Sequence, residues 1–190
     1  LGGTQDNGTL KFTQALLGST SEAFGGDGGP CFIDLNDPTF QIVSYTNNNF
    51  QLSTNGGNTF NITLLEDGET GSFINTGDYD SNLKILYTAR DETSIYRVRN
   101  VNLASRAAGQ VNVNLGSMAT AMKLSPFSTT ASNLYIGTEA GRLFRVQNAH
   151  NSPAVTEITG PSFPTGSVSS IAFGASENQM LVTFSNYGVT

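Results

Sequence analysis

The chain has 190 residues, of which 37% are hydrophobic and 13% charged, and its formal net charge is −6. Threonine (22), serine (19), asparagine (19) and glycine (21) fill 81 of the 190 positions, a mixture that disfavours long helices and favours short strands joined by turns. A single Cys31 and a single His150 exclude an internal disulfide and a Cys/His zinc site.

The acidic balance argues against nucleic acid, which needs a concentrated basic face. No apolar run reaches the roughly 18 residues of a membrane-spanning helix, so no membrane insertion is expected. Gly25-Gly26-Asp27-Gly28-Gly29 does not fit the dinucleotide fingerprint, and no P-loop is present. The charge is also uneven. Residues 1–83 hold ten acids and one base, whereas residues 84–190 hold five acids and eight bases.

Taken in order, four segments share one pattern: strand, polar turn, strand, tight turn, strand. The first predicted strand is Cys31 to Leu35, followed by the turn Asn36-Asp37-Pro38 and a strand from Phe40 to Thr46. Asn47-Asn48-Asn49 then leads to Phe50 to Ser53. The second segment predicts a strand from Ser72 to Thr76, a turn from Asp78 to Asn82, and a strand from Leu83 to Thr88. Arg90 to Thr93 turns it into Ile95 to Val98. The third has Ala121 to Leu124, then Leu134 to Thr138, then Arg142 to Val146. The fourth has Ile171 to Phe173 and Met180 to Phe184, and breaks off in the turn Ser185-Asn186-Tyr187-Gly188.

Thr46, Thr88, Thr138 and Ser185, taken as equivalent, are 42, 50 and 47 residues apart. A repeat of about 40–50 residues with three or four short strands is the pattern of β-propeller blades. The expected fold is all-β: about three and a half four-stranded antiparallel blades of a ring of about seven or eight. Approximate blades are 28–66, 70–103, 118–160 and an incomplete 167–190, all within one propeller domain. Fewer than about four blades do not close a ring, so the rest of the propeller, or a neighbouring domain, is an expected partner. Bulky residues alternate onto both faces of the Phe40–Thr46 strand, which fits a sheet covered on both sides.

Ser53-Thr54-Asn55-Gly56-Gly57-Asn58-Thr59-Phe60 resembles an Asp-box, the Ser-x-Asp-Gly-Gly-x-Thr-Trp hairpin of sialidase-type and sortilin-type propellers. Asn55 stands for the Asp and Phe60 for the Trp. The resemblance implies a structural staple: Ser53, Asn55 and Thr59 cap the turn, Gly56 and Gly57 supply positive φ, and Phe60 plugs the blade. The glycine-rich stretches Gly2 to Thr9 and Gly25 to Gly29, with Tyr135 to Arg145, resemble secreted bacterial multi-blade propellers and, more distantly, xyloglucan-hydrolysing endoglucanases. That resemblance implies a secreted or cell-surface location.

Two kinds of chemistry stay open. A glycosidase needs two carboxyl groups roughly 5–10 Å apart across the bond it cleaves. Asp27 and Asp6, in glycine-rich loops, are the candidates, and the endoglucanase resemblance favours Asp27. Those enzymes stack substrate on tryptophans, and this chain has none. Asp78, Asp80 and Asn82 resemble the start of a calcium loop, yet Leu83 replaces its glycine and Ala89 its glutamate, so an EF-hand is excluded. A simple calcium-binding turn stays open; no other cofactor is implied. The functional expectation is a non-enzymatic extracellular scaffold that binds a glycan or a protein. The alternative is a glycoside hydrolase that uses Asp27 with a second carboxylate.

Overall fold

The computed structural model describes residues 1–13 and 20–186, and among these there is no helix. The backbone forms five antiparallel sheets, in each of which the strands follow chain order. The first sheet contains β1 (Gly2–Thr4), β2 (Gly8–Phe12) and β3 (Thr20–Phe24). The second contains β4 (Phe32–Ile33), β5 (Gln41–Ser44), β6 (Asn48–Ser53) and β7 (Ile62–Asp67). The third contains β8 (Gly77–Asp80), β9 (Ile85–Ala89), β10 (Ser94–Arg99) and β11 (Ala107–Asn112). The fourth contains β12 (Ala119–Leu124), β13 (Leu134–Thr138), β14 (Leu143–Gln147) and β15 (Ala154–Glu157); the fifth contains β16 (Ser167–Phe173) and β17 (Met180–Ser185). Three consecutive four-stranded meanders fit propeller-like blades.

The burial pattern follows from that repetition. Every residue of β5, β9 and β13, the second strand of each four-stranded sheet, is buried. The fourth strands carry more solvent-facing residues, and β15 is exposed along its whole length. Short β-branched and aromatic runs without polar alternation therefore mark strands covered on both faces.

The chain divides into two compact units, Leu1–Asn75 with Val98–Ala108, and Thr76–Arg97 with Gly109–Thr190. In the second unit the core lies between stacked sheets. Tyr87, Ala89 and Ile95 of the third sheet cluster with Met122, Leu134, Ile136, Phe144 and Val146 of the fourth. On the other side of the fourth sheet, Ala121, Tyr135 and Leu143 meet Val168 and Ile171 of the fifth. Each of the larger aliphatic and aromatic side chains here contributes about 1.5–3 kcal/mol by leaving water. The approach is close at Gly137, where a Cβ would collide with the Val168 side chain.

Two differences from the sequence reading are informative. The first sheet takes in part of the glycine-rich stretch Gly2 to Thr9, expected to be loop, together with residues where no strand is expected. Antiparallel ladders of β1 with β2 and of β2 with β3 build it. The Gly25–Pro30 connection docks on it, the Gly8 amide donating to the Gly26 carbonyl at 2.6 Å and the Gly28 amide to the Thr4 carbonyl at 2.9 Å. In the third sheet, Ser72–Thr76 is not a strand, and Asp78 to Asp80 lie on β8 rather than in a turn. Asp80 Oδ1 accepts the Asn82 and Leu83 amides, each at 2.9 Å, so the reversal falls at residues 81–84 and Lys84 takes a φ of 57°. The polar composition of this stretch hid a strand whose carboxylates cap the following turn. Of the expected final turn, Tyr187 and Gly188 lie outside the described residues.

Candidate functional site

In the first unit, chain connections converge at one end of the sheets. These are the β1–β2 turn with Asp6, the Gly25–Pro30 connection, the β5–β6 turn with Tyr45, and residues 70–75 after β7. The Asp27 carboxylate accepts the Asp6 amide at 2.9 Å, fixing a turn in which Asp6 has a φ of 63°. The Gly29 amide reaches the Ser44 carbonyl, and the Ser44 hydroxyl donates to Pro30 at 2.9 Å. The Asn47 amide donates to the Phe73 carbonyl at 2.9 Å.

Glycine is required where these segments meet. A Cβ on Gly3 would strike the Gly29 carbonyl, and one on Gly26 would enter the Tyr45 ring. The glycines here bring backbone against backbone and against an aromatic ring. They leave Tyr45, Phe73 and Ile74 at the surface, 38%, 55% and 44% exposed.

A buried amide network holds the 70–75 connection. Asn75 Nδ2 donates to Asn48 Oδ1 at 2.8 Å, and Asn48 Nδ2 donates to the Thr70 hydroxyl at 2.9 Å. Thr70 in turn donates to Asp67 Oδ2 at 2.8 Å. Buried amides paired this way hold one geometry, so Phe73 and Ile74 are presented on a fixed support.

At the other end of β6, residues 53–60 form a closed turn. Asn55 Oδ1 accepts the Ser53 hydroxyl at 2.8 Å, the Asn58 amide at 3.2 Å and the Thr59 amide at 3.0 Å. Asn55 Nδ2 donates to Thr59 Oγ1, and the Gly57 amide donates to Ser53 Oγ. Gly56 and Gly57 have φ values of 70° and 73°. Phe60 packs edge-on against Phe24 of β3, with centroids 6.2 Å apart. This turn is a staple without free chemistry.

Of the calcium candidates Asp78, Asp80 and Asn82, both carboxylates are engaged by protein donors, and Asn82 contributes its backbone amide to Asp80. Asp78 Oδ2 accepts the Leu124 amide at 2.8 Å and lies 3.4 Å from the Lys123 ammonium. Asp80 Oδ2 accepts the Ser132 hydroxyl at 2.6 Å while its Oδ1 caps the turn. A cation would have to displace these donors, so this donor set does not fit a metal. Asp78 and Asp80 tie β8 to the fourth sheet. His150 is likewise structural, its Nδ1 accepting the Ser132 amide at 3.3 Å.

Asp34, Asp37, Asp67 and Asp91 all accept amides from the following two or three residues, and Asp78 and Asp80 are committed as above. Asp27 and Asp6 differ. Asp27 takes one amide and Asp6 takes none in the described residues. The structure thus brings together the two residues singled out in the sequence, through the Asp6 backbone amide and the Asp27 carboxylate. It adds Tyr45, whose ring lies against Gly26, and Phe73, whose carbonyl accepts the Asn47 amide. Neither aromatic stands out in the sequence, since Tyr45 falls in the expected Phe40–Thr46 strand and Phe73 in the expected Ser72–Thr76 strand.

No protein-family model matches the chain, and no curated protein matches it.

Proposed function

We propose that the chain is part of an extracellular or cell-surface β-propeller that acts as a non-enzymatic binding scaffold for a glycan or a protein. The observation that carries this reading is the fixed cluster of connections in the first unit, which keeps Tyr45 and Phe73 exposed and leaves Asp27 Oδ2 and the Asp6 carboxylate without hydrogen bonds in the described residues. Exposed aromatics on a rigid support favour binding, because little conformational entropy is lost. The consecutive four-stranded meanders support the propeller, and the closed 53–60 turn supports the Asp-box likeness.

A second reading, glycoside hydrolysis through Asp27, draws on one observation: the Asp6 backbone amide donates to the Asp27 carboxylate at 2.9 Å, which makes the two acidic residues neighbours. Glycan-array binding combined with a hydrolysis assay separates the two. Binding without turnover supports the scaffold. Turnover abolished by Asp27→Asn establishes the hydrolase.

A further inference from the structure

We infer that Tyr45, Phe73 and Asp27 form a subsite for a neutral pyranose sugar. This rests on the glycan form of the scaffold reading and names its location and its ligand class.

A pyranose presents a C–H face and a ring of hydroxyl donors. It is bound by a flat exposed ring and by strong acceptors at the ring's margin. Tyr45 supplies the ring. Its position is set by Gly26, whose backbone lies against the ring edge and leaves no room for a side chain. Phe73 adds a second exposed apolar surface, tied to the β5–β6 turn through the Asn47 amide. Asp27 follows Gly26 directly. Its Oδ1 is oriented by the Asp6 amide, and Oδ2 makes no other hydrogen bond in the described residues. Asp27 is one residue along the chain from the glycine that meets the Tyr45 ring, and an oriented carboxylate oxygen there accepts sugar hydroxyls in charge-assisted hydrogen bonds.

Charge selects among glycans. Residues 1–75 carry eight acids and one base, Lys11. The Lys11 ammonium is committed elsewhere, 2.7 Å from the Gly56 carbonyl. Val98–Ala108, the rest of this unit, adds Arg99 and Arg106, so the unit stays acidic by eight acids to three bases. A uronate, sialate or sulfate is disfavoured beside Asp6 and Asp27, and the ligand is neutral.

The test is isothermal titration of the full chain with short oligosaccharides of glucose, mannose, galactose and xylose. Oligogalacturonate and oligo-lysine serve as anionic and cationic comparisons. At least one neutral series should bind. Tyr45→Ala should weaken that binding about tenfold or more, with Asp27→Asn acting in the same direction. Tyr45→Phe should retain it, because the ring face is kept. Phe73→Ala, at a more exposed position, gives a second reading if Tyr45→Ala fails to unfold cooperatively. Neutral-glycan binding that neither Tyr45→Ala nor Phe73→Ala weakens would overturn the subsite and leave the glycan reading standing. Binding of oligogalacturonate alone would overturn the neutral subsite and leave the glycan reading standing, whereas binding of only oligo-lysine, or of nothing in the panel, would overturn both.

Discussion

Lys11 Nζ lies 2.7 Å from the carbonyl oxygen of Gly56 and 2.9 Å from Asn58 Oδ1. The sole base among the first 83 residues is therefore a clamp: it joins β2 of the first sheet to the closed turn of the second. A charged donor to a carbonyl is worth more than a neutral one, although partial exposure reduces it. Lys11→Met should destabilise the first unit by about 1 kcal/mol, read as a lowered urea midpoint with unchanged slope. An unchanged midpoint would show that the clamp contributes nothing.

Asn55 organises that turn with a single oxygen that accepts three donors. Asn55→Ala removes them together and should cost about 1–2 kcal/mol, the size of a lost helix cap. Asn55→Asp keeps the acceptor, and the Thr59 hydroxyl can turn to donate to it. That variant should unfold within about 0.5 kcal/mol of the parent. Equal losses in both variants, measured by denaturant titration, would refute the hub role.

The strands are legible where apolar residues run together. Leu134–Thr138 reads identically in sequence and structure, because a strand covered on both faces needs no polar alternation. Gly77–Asp80 does not, because its carboxylates report capping and bridging rather than a solvated loop. The first sheet is hidden for a related reason: glycine propensity argues for loop around Gly2, Gly3 and Gly8, and the β1–β2 ladder, with the Phe24–Gly29 backbone close against Gly3 and Gly8, overrides it. For the candidate site, Asp6 and Asp27 stand out through their glycine flanks. Tyr45 and Phe73 do not, since exposure of an aromatic depends on which connections meet around it.

Gly137 and Gly109 give a matched pair in strand-forming segments. At Gly137 a Cβ meets Val168, so the fourth and fifth sheets must separate to admit it. Gly137→Ala should cost about 1–3 kcal/mol through overpacking. A Cβ added at Gly109 on β11 would have nothing within 4 Å of it, so Gly109→Ala should be neutral or slightly stabilising. Thermal unfolding of the two variants decides it, and a tolerant Gly137 would mean the sheet interface is loose.

Arg142 grips Glu157 through two nitrogens, at 3.1 and 2.6 Å, across the β14–β15 pair. The guanidinium, followed by the Thr159 hydroxyl, holds the Glu157 carboxyl down to about 2. An unfolded glutamate titrates near 4.3, so the folded state binds this proton less readily than the unfolded state. The stabilisation is therefore complete above about pH 4.3 and is lost as pH falls toward 2. Both side chains are substantially exposed, 39% and 40%, so the effect is small and weakens with salt. In melting curves across this window at low salt, Glu157→Gln should have a flatter acid limb than the parent, and raising the salt should bring the two together. Parallel acid limbs at low salt would show that the pair forms without favouring the folded state.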